Sequence, residues 1–130
     1  TDETGWCPVD PSSWESLKVP GIHVIGDAAT ADPMPKSGFA ANSQAKACAA
    51  AIASELTRQP LPELSLTSTS YSLLAPDYGI SDTKVFRIDE AGKIAITEDA
   101  SGSTPETGDF KAEARYAENG WYNITEDVFG

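Results

Sequence analysis

The sequence predicts an α/β opening followed, after residue 60, by an α+β segment with a small antiparallel sheet. Three observations carry this reading. Residues 22–26, IHVIG, form a short β-branched apolar run without alternation, the pattern of a strand buried on both faces of a parallel or mixed sheet. Residues 37–57 are Ala-rich, and Ser37 stands where it can cap a helix. Residues 83–89 and 93–97, TKVFRID and KIAIT, flank Glu90, Ala91 and Gly92 as the two arms of a β-hairpin.

The elements follow in order. Residues 1–20 mix Gly, Ser, Pro and charge with little periodicity and read as loop. After the 22–26 strand, residues 28–36 must turn, because Pro33 and Pro35 cannot donate to a ladder. The helix runs from Ser37 to about Thr57, with Phe39, Ala45, Cys48, Ile52 and Leu56 as its expected apolar stripe. It stops by Pro60, and QPLPEL, residues 59–64, reads as a linker. Residues 65–74, SLTSTSYSLL, are Ser/Thr-rich and partly alternating, which suits a strand. Residues 99–109 read as loop. The final segment, FKAEARYAENGWYNITEDVFG, is expected to begin as a helix, break near Asn119-Gly120 and finish as an aromatic tail.

Composition bounds the function. A chain of 130 residues, 40% hydrophobic and 22% charged, fits one globular domain or the end of a larger one. Its net charge of −11 argues against a nucleic-acid partner, since phosphate binding needs clustered Lys and Arg. Residues 61–130 hold 5 basic and 13 acidic side chains, a net of −8, against −3 for residues 1–60. Such acidity serves solvation, a salty or alkaline habitat, or a docking face for a basic partner. No apolar run approaches the length of a membrane span. The opening TDETG has no initiator Met and reads like the middle of a protein, so the chain is expected to be a fragment of a longer one.

The chemistry-bearing residues gather at 7–38. Asp27 behind Gly26 places a charged acceptor at a strand end, and Gly26 lets the backbone approach a ligand without a Cβ in the way. The helix beginning near Ser37 offers free N–H groups, and Lys36 adds a full positive charge. These are the needs of a flavin site: an acceptor for the ribityl hydroxyls and a positive edge for the pyrimidine. The bland alternative is a plain strand–turn–helix with an incidental Gly-Asp. Cys7 lies in a Trp-Cys-Pro turn just before the strand, whereas Cys48 sits in AKACAAAIA, where a thiol packs as a small hydrophobe. Two cysteines leave a Cys7–Cys48 bridge open.

PGIHVIGDA resembles the second FAD-binding motif of the two-dinucleotide-domain flavoprotein disulfide reductases. GWCPVD, PMPKSGFAANSQAKA, YSLLAPDYGIS and the terminal WYNITEDVFG together resemble the flavoprotein subunit of flavocytochrome c sulfide dehydrogenase, over essentially the whole chain. The resemblance implies the C-terminal third of that subunit. Residues 1–60 would be the closing part of an FAD-binding Rossmann-like domain, and residues 61–130 a flavin-covering, dimerisation-type domain facing the cytochrome subunit.

By the same resemblance, Cys7 matches a cysteine of the redox-active disulfide, its partner lying in the remaining N-terminal part of the subunit. A purely structural disulfide is the alternative. Asp27 matches the ribityl-binding aspartate, with Gly26 before it. Pro35, Lys36, Ser37 and Gly38 match the loop and helix start at the pyrimidine edge. Trp121 matches an aromatic between flavin and haem, although plain packing would also account for it. The cofactor implied is FAD, with haem c on a partner cytochrome subunit, sulfide as substrate and the periplasm as location. No G-x-G-x-x-G occurs, so the pyrophosphate site is expected outside these residues, and the chain alone is not expected to bind FAD.

Two rival readings differ in class. A sulfide:quinone oxidoreductase wants a basic–aromatic amphipathic tail, whereas this tail carries Glu113, Glu118, Glu126 and Asp127. A non-catalytic acidic domain that docks a cytochrome has no use for Cys7-Pro8 or Gly26-Asp27.

Overall fold

Residues 1–36 are too interrupted by Pro and Gly to build long ladders, and they fold as a series of turns around one indole. Residues 1–63 and 65–130 of the chain are described by a computed structural model. Leu64, the last residue of the expected linker, lies outside the described residues. Trp14 is fully buried, with its backbone at φ 62°. The loop closes around it through Trp14 N–H donating to Asp10 O at 2.6 Å and Val24 N–H donating to Trp14 O at 2.9 Å. Two short strands, β1 (Cys7–Pro8) and β2 (Ala29–Thr30), pair in parallel, Cys7 opposite Ala29 and Pro8 opposite Thr30.

The expected strand at 22–26 does not form. Only His23 makes a bridge, to Glu15, and Ile22 and Ile25 are exposed. A strand buried on both faces needs neighbours along both edges, and among the described residues only the short 14–16 stretch pairs with it, through Ser16 N–H to Ile22 O and Val24 N–H to Trp14 O. The chain instead enters a 3-10 turn at Gly26–Ala28.

Helix α1 (Gly38–Thr57) starts where the Ser signal places it: Ser37 Oγ accepts from Ala40 N–H at 3.2 Å. Its buried ridge is Ala40, Gln44, Ala47, Cys48 and Ala51, rotated from the expected stripe, and Leu56 is 79% exposed. Small side chains win because the helix must approach two surfaces closely, the 26–34 turn and the start of the sheet.

The sheet is a meander of β3 (Leu66–Ala75), β4 (Tyr78–Ile88) and β5 (Ile94–Ile96), with β6 (Gly102–Ser103) also pairing to β4. The β4–β5 turn is held by Asp89, whose Oδ1 accepts from Ala91 N–H and Lys93 N–H, both at 2.9 Å. Sequence reading missed the β3–β4 hairpin, which reverses at Pro76-Asp77 and extends β4 five residues earlier than expected. Leu66 stands opposite Phe86, and both are 1% exposed in one core with Val9, Trp14, Ala29, Ala47, Cys48 and Ile94. That core joins residues on both sides of the expected 60/61 boundary.

Helix α2 (Phe110–Phe129) is continuous, which corrects the expected break at Asn119-Gly120. Asp109 caps it, accepting from Ala112 N–H at 2.9 Å. A helical Gly costs about 1 kcal/mol against Ala, but a Cβ at Gly120 would stand 3.1 Å from the Tyr71 ring, so glycine here permits close packing. Gly79 of β4 does the same: a Cβ there would lie 2.6 Å from Ala114 N. Ser81 Oγ, donating to Glu113 Oε2 at 2.8 Å, fastens the helix further. No helix among the described residues is long and apolar enough to cross a membrane.

Gly79→Ala should therefore force α2 off the sheet and lower stability by roughly 1–3 kcal/mol, as overpacking does. Urea unfolding followed by circular dichroism measures this. An unchanged midpoint would show that α2 does not rest on β4.

Candidate functional site

The β1–β2 pairing brings most of the expected site residues together. It sets Cys7 opposite Ala29, the first residue past the Gly26–Ala28 turn. Gly26 has φ 70°, which an L side chain rarely adopts, and Asp27 beside it presents an exposed carboxylate. Lys36 reaches over the turn: its Nζ donates to Asp27 O at 2.6 Å and to Ala29 O at 3.2 Å, and lies 3.9 Å from the centroid of the Trp6 ring. Pro35 leads into Lys36, and Ser37 and Gly38 open α1, so the helix N-terminus stands behind the same turn. A cavity of about 90 Å³ lies among Trp6, Gly26, Thr30, Pro35, Lys36 and Gln44.

Trp121 is not in this cluster. It sits on α2, 66% exposed, and lines neither cavity described here. Cys7 is half-buried and Cys48 buried, and both are free thiols, so the Cys7–Cys48 bridge left open by the sequence is not made. Burial pushes the Cys48 thiol above its ordinary value, which disfavours the nucleophilic thiolate. Sequence reading passed over Trp6 and Gln44. The signal for Gln44 was an amide on the helical ridge of Ala40, Ala47 and Ala51, where only a partnered polar group belongs.

A larger cavity, about 660 Å³, opens between α1, β3 and α2. Phe39, Ser43, Tyr71, Tyr116 and Asn123 line it, and a charged clasp spans its rim. Lys46 Nζ lies 2.6 Å from Asp127 Oδ2, which also accepts from Asn42 Nδ2 at 3.0 Å. These two hydrogen bonds, Lys46 first, hold the Asp127 carboxyl below its ordinary range. Burial, then the Glu113 charge, pushes the Tyr71 phenol up, so it stays a neutral hydrogen-bonding group at this cavity.

Gly26 and Lys36 line the small cavity together with Asp32, while the exposed Asp27 carboxylate and the helix start at Ser37 and Gly38 adjoin the turn without lining it. Residues 62–129 match the family model described as "Flavocytochrome c sulphide dehydrogenase, flavin-binding". The match takes in 68 of the 130 residues, and the chain belongs to this family, with FAD as its cofactor and a role in an FAD-linked sulfide dehydrogenase. The matched stretch comprises the sheet and α2, so the Gly26–Gly38 cluster lies outside it, and the larger cavity is shared between it and α1.

The residues fit FAD by the chemistry of their donor set. Asp27 offers an acceptor for sugar-alcohol hydroxyls, and Lys36 with the first N–H groups of α1 offers charge for an electron-rich ring edge. At about 90 Å³ the cavity has room for roughly three waters, enough to meet one edge of such a cofactor and no more.

The clasp makes a pH prediction. A carboxyl whose folded value is depressed adds stability above its unfolded value, and that stability is lost as pH falls through the depressed folded value. Asp127 should therefore titrate below ordinary carboxylates in carbon-detected NMR, and Lys46→Met should move it up. An Asp127 that ignores Lys46→Met would mean the clasp is not formed in solution.

Proposed function

We propose that this chain completes the flavin site of a sulfide dehydrogenase in which Cys7 belongs to a redox disulfide and electrons leave to a c-type cytochrome subunit. Residues 1–60 are read as the closing part of an FAD-binding Rossmann-like domain, and residues 61–130 as the segment that covers the flavin and faces the cytochrome. A further segment of the flavoprotein supplies the pyrophosphate site and the second cysteine. The enzyme works in the periplasm. The observation that supports this reading best is the pairing of Cys7 with Ala29, which puts a half-buried thiol next to the turn bearing Gly26 and Asp27.

The chemistry at Cys7 is thiol–disulfide exchange. Hydrosulfide attacks one sulfur of the disulfide, the S–S bond breaks, a cysteine persulfide forms, and the other cysteine leaves as thiolate. FAD, when bound, supplies the two-electron acceptor for that thiolate or persulfide and the one-electron donor to haem. The residues of this chain hold the site in order. The Asp27 carboxylate accepts from ribityl hydroxyls, while Lys36 and the helix start at Ser37-Gly38 stabilise negative charge at the pyrimidine edge. Gly26 keeps the turn free of a Cβ, and Pro35 fixes the approach to Lys36.

The outer face of α2 supports the partner side of the reading. Trp121, Tyr122, Val128 and Phe129 are all more than 60% exposed there, in the half of the chain that carries a net −8. Large exposed aromatics are common at protein interfaces, and the acidic surround suits a basic haem-bearing partner.

In the intact enzyme, Cys7→Ser should abolish bleaching of the flavin band by sulfide, whereas Cys48→Ala should nearly preserve it. Equal rates in the two variants would reject Cys7 as the redox cysteine.

Trp121→Ala should leave sulfide-dependent flavin reduction largely intact and slow the later haem reduction. Stopped-flow spectra separate the two steps. Haem reduction at the wild-type rate would remove Trp121 from the electron path and from the docking face.

A further inference from the structure

We infer that Gln44 is the positioning residue of the cofactor turn, acting on Asp27 through the backbone of Gly26. The inference rests on the reading of Asp27 as the ribityl acceptor and names what holds that carboxylate in place.

Gln44 is 2% exposed in the middle of a ridge of alanines, and a buried amide is costly unless its groups are paired. Its Oε1 accepts from Gly26 N–H at 2.7 Å, the one hydrogen bond that ties the turn to the helix behind it. A backbone N–H can only donate, so the amide must present its oxygen there, and the orientation of the group is settled by chemistry. Nε2 then faces Met34 Sδ at 3.8 Å, a weak acceptor, at the wall of the small cavity. The helix thus grips the turn from one side through Gln44, while Lys36 grips Asp27 O and Ala29 O from the other.

Packing alone would not need an amide here. Ala41 would stand 3.4 Å from a Cβ at Gly26, so helix and turn already touch through small groups. The added hydrogen bond anchors the Ile25–Gly26 peptide plane, from which the turn at φ 70° carries the chain into Asp27. Gln44 touches neither the reacting sulfur nor the carboxylate itself. It acts at one remove.

The test is a double-mutant cycle in the holoenzyme, read as FAD retention by flavin fluorescence and as the flavin reduction potential. Asp27→Ala should weaken retention, and Gln44→Met, which matches the length but lacks the acceptor, should weaken it about five- to tenfold, the scale of one hydrogen bond. The double variant should be no worse than Asp27→Ala alone, because Gln44 acts through Asp27. Additive losses, or full retention in Gln44→Met, overturn the positioning role and leave the ribityl reading standing. Full retention in Asp27→Ala defeats the ribityl reading itself, and the inference with it. Amide hydrogen exchange in the wild-type holoenzyme needs no variant to fold: Gly26 N–H should be protected, and exchange at the rate of a free amide overturns the proposal.

Discussion

The structure depends on how closely α1 can approach what lies on either side of it. Its inward ridge, Ala40, Gln44, Ala47, Cys48 and Ala51, has no side chain larger than an amide. On one flank the helix meets the Gly26–Ala28 turn and Met34, and on the other strand β3. A Leu or Phe on that ridge would drive these surfaces apart by more than a hydrogen bond can span. The 2.7 Å contact of Gln44 with Gly26 and the 2.9 Å contact of Thr67 N–H with Ser43 Oγ both presuppose the small-residue ridge. Close backbone packing comes first, and the polar contacts that order the site follow from it.

Much of this was legible in the sequence, and the failures have definite causes. The cap at Ser37, the start and end of α1 and the turn at Glu90–Gly92 depend on local signals, and they stand where those signals put them. The 22–26 run failed as a strand because a strand's existence depends on neighbours that its own residues do not encode. Gly120 misled because the same residue that ends helices also permits close packing, and only the position of Tyr71 decides between the two. At the site, Gly26 and Asp27 are adjacent in sequence, Lys36 follows nine residues on, and all three could be read there. Cys7 beside Ala29 and Gln44 beside Gly26 are contacts across 22 and 18 residues of chain, which no local pattern carries.

Glycine is used here in two distinct physical ways. At Gly26 the gain is conformational: a positive φ reverses the chain in three residues and leaves Asp27 pointing outward. At Gly79 and Gly120 the backbone is ordinary and the gain is spatial, since each removes a Cβ that would collide with the facing element. The first kind belongs to the site and the second to the scaffold. α2 depends on the second kind for its seat, which lets its Trp121 face remain exposed for other contacts.

The two thiols illustrate how placement sorts identical chemistry. Cys48 sits on the ridge of α1, where desolvation raises its pKa and neighbouring alanines leave no room for an attacking sulfur. Its burial serves packing, and reactivity there would cost the core its fit. Cys7 occupies a two-residue strand, half-buried, joined to the residue after the Gly26–Ala28 turn by a parallel pair. A strand that short has little stability of its own, so Cys7 keeps its position through Ala29, whose carbonyl Lys36 holds, and through the bonds that pin its neighbours, Leu17 N–H to Pro8 O and Asp2 N–H to Trp6 O. Whatever fixes the Gly26–Ala29 turn therefore helps to fix the thiol. The Gly26–Ala29 turn and the Cys7 thiol share one anchoring system, and Gln44 and Lys36 are its two ends.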